Sequence, residues 1–137
     1  MPRLSELRPG DALPERRHTP TNVSLFLYNA AIWNPHRIHY DESYTKEVEK
    51  HPAVVVDGPL QGDWLTQTVL DWLGEDGVLV ELEYANRRAG YLGETFISGG
   101  KIEAVRPETS EVELSLFVRK EDGEVTVPGR AVVRINR

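Results

Sequence analysis

The first clear period in the chain begins after Thr21, where Val23, Phe26, Leu27, Ala30 and Ala31 recur at helical spacing. Thr21 follows Pro20 and stands where an N-cap belongs, so the pattern predicts a short amphipathic helix ending near Ile32. Pro35 disfavours helix at Asn34, which makes Trp33 to Tyr40 an expected ordered loop, followed by a second short helix from about Glu42 to Lys50. Beyond Val54-Val55-Val56 and the turn-like Asp57-Gly58-Pro59, the residues Leu60, Trp64, Leu65, Val69, Trp72 and Leu73 mark a helix that is apolar over much of its circumference and stops at Gly74. A helix of that kind needs other structure wrapped around it.

From Gly77 the period changes to two, with Val78, Val80, Leu82 and Tyr84 alternating with Leu79, Glu81 and Glu83. Further strands are expected around Glu94 to Val105, Glu111 to Lys120 and Glu124 to Asn136, separated by the turn signals Arg106-Pro107-Glu108 and Asp122-Gly123. This order predicts an antiparallel meander of strands after one long buried helix. The fold class is therefore α+β, with the sheet curled round the helix. The start of the chain up to about Arg17 shows no period and is expected to be irregular. No linker or repeat divides the rest, and 137 residues is the usual size of one domain, here 1–137.

Composition narrows the function. With 22 acidic against 16 basic residues, and a net charge of -6, neither nucleic acid nor an anionic membrane is an expected partner. The apolar runs are far shorter than the roughly 20 residues of a membrane span, and Met1-Pro2-Arg3-Leu4 does not begin a signal peptide, so a cytoplasmic protein is expected. The absence of cysteine removes thiolate nucleophiles and cysteine-rich zinc sites. There is no glycine-rich nucleotide loop and no Gly-x-Ser-x-Gly elbow, which argues against a kinase, a dinucleotide enzyme or a serine hydrolase. Trp33, Trp64 and Trp72 read as core or interface residues.

The polar residues that remain concentrate in Asn34-Pro35-His36-Arg37-Ile38-His39-Tyr40-Asp41, followed by Val56-Asp57-Gly58-Pro59-Leu60. Together these stretches resemble the paired signature of MaoC-like hydratases. They are most similar to the branch of type 2 hydroxyacyl-thioester dehydratases and mesaconyl-CoA hydratases. Arg88-Ala89-Gly90-Tyr91-Leu92-Gly93-Glu94 resembles that family's strand entry after the central helix. The resemblance implies a hotdog fold and reversible hydration of an enoyl thioester on coenzyme A or acyl carrier protein. It implies no metal and no cofactor beyond the thiol carrier. It places the family's His at His39 and its helix-heading Gly at Gly58, while the Asp expected five residues before the His is here Asn34. Thr66, eight residues past Gly58, falls where the family often has a hydroxyl.

The chemistry of these residue types supports those roles. An enolate forming on a thioester oxygen needs a preorganised donor, and a glycine N–H at a helix start provides one with room for close approach. The alternative for Gly58-Pro59 is a plain helix entry. An imidazole exchanges protons near neutral pH, so His39 is the expected acid/base, the alternative being an ordinary loop histidine. Asn34 can hold water or orient His39, but an amide is no general base. A second acid/base would then be His39 itself, Asp41, Asp63 or a group on another subunit. Thr66 either bonds substrate or closes a helical turn. Arg37, Arg87, Arg88 and Tyr91 are candidates for substrate contact, the arginines with coenzyme A phosphates, though solvated arginines are equally common. His36, His39 and Asp41 lie within six residues and His51 is not far off, which raises a metal site. Such clusters are common on surfaces, and none is expected here.

Two other functions fit the same residues: a hotdog acyl-CoA thioesterase using Asp63, and a non-catalytic acyl-binding partner subunit, for which Asn34 is the motive. An open sheet edge would need a partner, and a homodimer is expected ahead of a heteromer with a second hotdog subunit.

Overall fold

Ten alternating residues from Glu111 to Lys120 turn Val112, Leu114, Leu116 and Val118 to one side, all buried, and the sheet bends round a helix against that side. The computed structural model describes residues 2–136. Met1, where the expected irregular start begins, and Arg137, at the end of the expected domain, lie outside them. In chain order the elements are β1 (Arg16–His18), α1 (Asn22–Ala31), α2 (Glu42–Glu47), α3 (Gly58–Leu73), β2 (Gly77–Tyr84), β3 (Phe96–Arg106), β4 (Glu111–Lys120) and β5 (Val125–Ile135).

One antiparallel sheet contains all five strands in the order β1-β3-β4-β5-β2. The expected meander holds for β3, β4 and β5. Strand β2 precedes them in sequence yet pairs with β5, at the far edge. Register shifts at Leu79/Glu81, Ile102/Ala104 and Val118/Arg119 add the local bends with which a sheet curls. Inside the curl lies α3, with Leu65, Val69 and Leu73 fully buried among the inward residues of β4 and of β5, namely Val127, Ala131, Val133 and Ile135. Gly74, at φ 64, closes the helix through its N–H to Leu70. Gly62 lets the Tyr84 ring lie against the helix: a Cβ there would stand 2.3 Å from the ring as it is placed, and the half-exposed tyrosine would have to swing away. This is the hotdog arrangement, α+β, with the sheet wrapped round a central helix.

Other expectations change as well. The start of the chain is ordered in part. Arg16–His18 add an edge strand to β3, Ala12 bridges Lys101, and Leu13 is buried. The cause is a polar seam with no sequence period. His18 stacks on Trp64 with ring centroids 4.3 Å apart, its Nε2 lies 2.9 Å from Ser98 Oγ, and Ser98 in turn meets Thr68 Oγ1 at 2.8 Å. Burial and the neighbouring Arg16 hold the His18 imidazole down at about 4, so it stays neutral within the seam. The second change concerns α1. It begins at Thr21 with a reciprocal capping pair to Ser24, as expected, but the stripe Val23, Phe26 and Leu27 faces outward and is 58–62% exposed. The side it buries is Leu25 and Asn29. Helix α2 is shorter than expected, ending at Glu47, and Lys50 takes a left-handed backbone (φ 61).

If the wrapped helix is the main apolar contributor, truncating it at its centre leaves a void that the curled sheet cannot fill. Leu65→Ala is expected to lower the free energy of unfolding by about 2–5 kcal/mol in urea titrations, without loss of the native circular dichroism.

Candidate active site

The loop between α1 and α2 is built by short-range bonds. Asn34 Oδ1 accepts from the His36 N–H, His36 Nδ1 accepts from the Ile38 N–H, and Arg37 to His39 form one 3-10 turn. Trp33, just before it, has φ 57 and is 92% exposed. A non-glycine residue in that conformation is uncommon and marks a sharp reversal of the chain. The reversal carries the loop back over the start of α3, where the Val55 N–H donates to Ile38 O at 2.9 Å.

His39 is consequently buried, and its Nδ1 lies 2.7 Å from Val55 O. A carbonyl can only accept, so Nδ1 carries the proton and the Nε2 lone pair is left without a protein partner among the described residues. Beside it lies a group that sequence reasoning did not single out. Asp57 is fully buried, with Oδ1 3.5 Å from His39 Nδ1 and 3.0 Å from Asn29 Nδ2, and Oδ2 3.5 Å from Asn34 Nδ2. Asp57 occupies the N-cap position of α3, yet its carboxylate turns to these partners and makes no cap bond. Asn29 also donates to Leu25 O at 2.8 Å. Burial pushes the Asp57 carboxyl up, against the bonds from the asparagines and the charge of His39.

Asp57 was hidden because Asp-Gly-Pro reads as a turn, where a solvated carboxylate is ordinary. Asn29 did carry a signal. It lies one helical turn from Leu25, and a polar residue one turn from an apolar one implies an internal partner if that face is the buried one.

Gly58 follows directly at the head of α3. A Cβ on it would stand 2.4 Å from Asn86 Nδ2, so the Asn86 amide lies against the open helix end. A cleft of about 290 Å³ there is lined by Gly58, Pro59, Gln61, Asn86, Arg87 and Arg88. A second cleft, about 370 Å³, opens beside Asn29 and Asn34 between apolar walls of Phe26, Ala30, Trp33, Pro35 and Tyr40.

The other sequence candidates are distributed as follows. Asp41 caps α2 by accepting from the Tyr44 N–H and pairs with Arg37 at 2.8 Å, and the Arg37 guanidinium stacks on the Tyr44 ring. These two residues serve each other and do not meet His39. Asp63 lies on an exposed side of α3, accepting from the Tyr28 hydroxyl at 3.2 Å. Thr66 donates to Gly62 O within the helix at 3.2 Å. Tyr91 bonds His51 Nδ1 at 3.3 Å through its hydroxyl, and its backbone bridges Val55. Among the described residues no three His, Asp or Glu side chains gather as a metal site, and no helix is long and apolar enough to cross a membrane.

Residues 5–92 match the family model described as hydroxyacyl-thioester dehydratase type 2, which is more than half of the chain. The chain belongs to that family. Over 55 residues it is 42% identical to the mesaconyl-C(4)-CoA hydratase of Chloroflexus aurantiacus, covering 40% of this chain and 20% of that protein. Over 42 residues it is 40% identical to the mitochondrial hydroxyacyl-thioester dehydratase type 2 of Schizosaccharomyces pombe, covering 31% of this chain and 14% of that one. The chain therefore spans a fifth or less of these relatives. Among solved structures, a MaoC-like dehydratase superposes with a TM-score of 0.90 at 20% identity, over 98% of this chain and 42% of that chain. The (R)-hydratase of A. caviae involved in PHA biosynthesis superposes with 0.84 at 16% identity, over 95% and 98%. At these identities the likeness is one of fold.

The buried carboxylate has a consequence for stability. Asp57 holds its proton to higher pH in the folded protein than in the unfolded chain, so across that interval the native state binds more protons and stability falls as pH rises from about 4 upward. Urea unfolding measured over a pH series is expected to show this decline, and Asp57→Asn to flatten it.

Proposed function

We propose that the chain catalyses reversible hydration of an enoyl thioester and dehydration of the matching 3-hydroxyacyl thioester. The observation that carries this reading is the His39 imidazole, held through Nδ1 on Val55 O and presenting an unpartnered Nε2 in the loop that packs over the start of α3. Membership of the hydroxyacyl-thioester dehydratase type 2 family supports it.

In hydration, Nε2 takes a proton from water as the water oxygen bonds to C3. The electron pair of the C2–C3 double bond moves into the thioester, and the carbonyl oxygen gains negative charge. The Gly58 N–H, at a helix start that receives no side-chain cap, is the donor for that charge. The imidazolium then returns its proton to C2, so one residue acts as base and acid and the sum of the step is addition of one water. Asn34 supports the loop with its amide oxygen and faces Asp57 with its amide nitrogen. Arg87 and Arg88, exposed beside Gly58, suit the phosphates of coenzyme A better than Arg37, whose charge is committed to Asp41. The apolar cleft beside Asn34 has walls that suit an acyl group. No organic cofactor or metal enters the reaction.

The test is His39→Ala, which is expected to lower hydration of a panel of enoyl-CoA substrates by about 10²–10⁴-fold, with the thermal transition retained. Turnover near that of the unaltered protein would remove His39 from the reaction.

A second copy of the chain belongs to this reading. Among the described residues strand β2 pairs only with β5 and its outer edge is open, and Val78 and Val80 on it are 53% and 41% exposed. Solved structures of the same fold include the ChsH1-ChsH2 and HadBC complexes of Mycobacterium tuberculosis. For this chain a homodimer is expected, with a mass by light scattering near twice 15.5 kDa. A monomer that becomes active only with a different hotdog protein would replace the homodimer by a heteromer.

A further inference from the structure

Position 34, the polar residue at the head of the histidine loop, is an amide and carries no charge. A proton carrier that becomes an imidazolium in a buried site needs an anion near its far nitrogen, and without one the charged form is disfavoured by desolvation. The described residues contain one such anion. Asp57 lies 3.5 Å from His39 Nδ1, on the opposite side of the ring from Nε2, and is itself fixed by Asn29 on α1 and Asn34 on the loop.

We propose that Asp57 is the positioning residue for His39: its carboxylate, held by the amides of Asn29 and Asn34, stabilises the imidazolium formed when Nε2 takes a proton, while Val55 O fixes the Nδ1–H tautomer. This rests on the reading of His39 as proton carrier.

The arrangement has a chemical logic. The Nδ1–H donates to Val55 O, and Asp57 Oδ1 lies 3.5 Å from the same nitrogen, so both oxygens stand at the Nδ1 end of the ring and leave Nε2 clear of them. No proton needs to pass to Asp57. Its charge lowers the energy of the protonated ring while the water oxygen is already bound to C3, and the same proton leaves again from Nε2 to C2. The partners of Asp57 are donors only, which suits a carboxylate and would oppose an amide nitrogen turned toward them. The charged or titratable groups around this pair are few. On the loop, the His36 ring lies 5.8 Å from the His39 ring. On α1, Tyr28 feels the charge of Asp57 and of Asp63, and burial together with those charges keeps its hydroxyl protonated. Arg37 is neutralised by Asp41.

The experiment uses the full chain and two readouts. Asp57→Asn is expected to lower kcat for enoyl-CoA hydration by about 10²-fold, with KM within about twofold, and to move the acid limb of the kcat–pH profile to lower pH because the anion that favours the imidazolium is gone. Independently of substrate, the ring nitrogens of His39 are followed by NMR against pH, and their midpoint is expected to move to lower pH in the variant. An unchanged midpoint would overturn the proposal, whatever the activity. A shifted midpoint in a protein that hydrates no enoyl thioester would leave the His39–Asp57 coupling standing and remove the functional reading instead. Should Asp57→Asn not fold, the unaltered protein decides: the His39 nitrogens must show a second inflection in acid as Asp57 takes its proton, and a single inflection overturns the coupling.

Discussion

Everything in this chain follows from the burial of α3. Once Leu65, Val69 and Leu73 have disappeared into the curl of the sheet, the helix has few ways to be closed at its ends. Its C-terminus ends on Gly74. Its N-terminus emerges where no strand covers it, and the forty residues before it have to supply a lid. Helix α1 and the loop at 33–40 are that lid, and their conformation is decided less by their own propensities than by what they meet over residues 54–58.

What they meet is an anion. A carboxylate with no solvent exposure is expensive unless every available lone pair finds a donor, because the low dielectric that strengthens its bonds also makes a missing one costly. Asn29 from α1 and Asn34 from the loop donate to it, and His39 from the 3-10 turn stands 3.5 Å from it with its Nδ1–H on Val55 O. Each bond that stabilises the charge also fixes a segment, so the polar cluster serves as the glue that the modest apolar face of α1 does not provide. This accounts for the outward stripe of α1. Orientation by Asn29 outweighs burial of Val23, Phe26 and Leu27, three residues whose transfer from water would contribute about 1.5–3 kcal/mol each if another surface covered them.

Much of this is legible in the sequence. The change of period at Gly77, the Gly74 stop, the Thr21 cap and the pairing of a histidine loop with a glycine-headed helix are local signals, and the elements they mark stand where expected. What could not be read was anything set by two distant segments meeting. Strand β1 exists because His18 finds Trp64 and Ser98, residues 46 and 80 positions away, and no periodicity in Arg16-Arg17-His18 announces that. The place of β2 beside β5 is likewise a property of closure. Asp57 was mistaken for turn chemistry for the same reason: its burial depends on Asn29 and His39, which lie 28 and 18 residues earlier.

The identity of residue 34 can now be understood without reference to catalysis. Asn34 Nδ2 points at Asp57 Oδ2 across 3.5 Å while Oδ1 is held by the His36 N–H, so the position is asked for a donor on one side and an acceptor on the other. An amide offers both at once, which a carboxylate does not. An aspartate there would set a second carboxylate face to face with a fully buried one, where like charges force one of the two to keep its proton. One buried anion beside one imidazole is a compatible set, and two are not. With the carboxylate delivered from the helix start, the loop residue has to be neutral, so Asn34 and Asp57 are two halves of a single electrostatic choice.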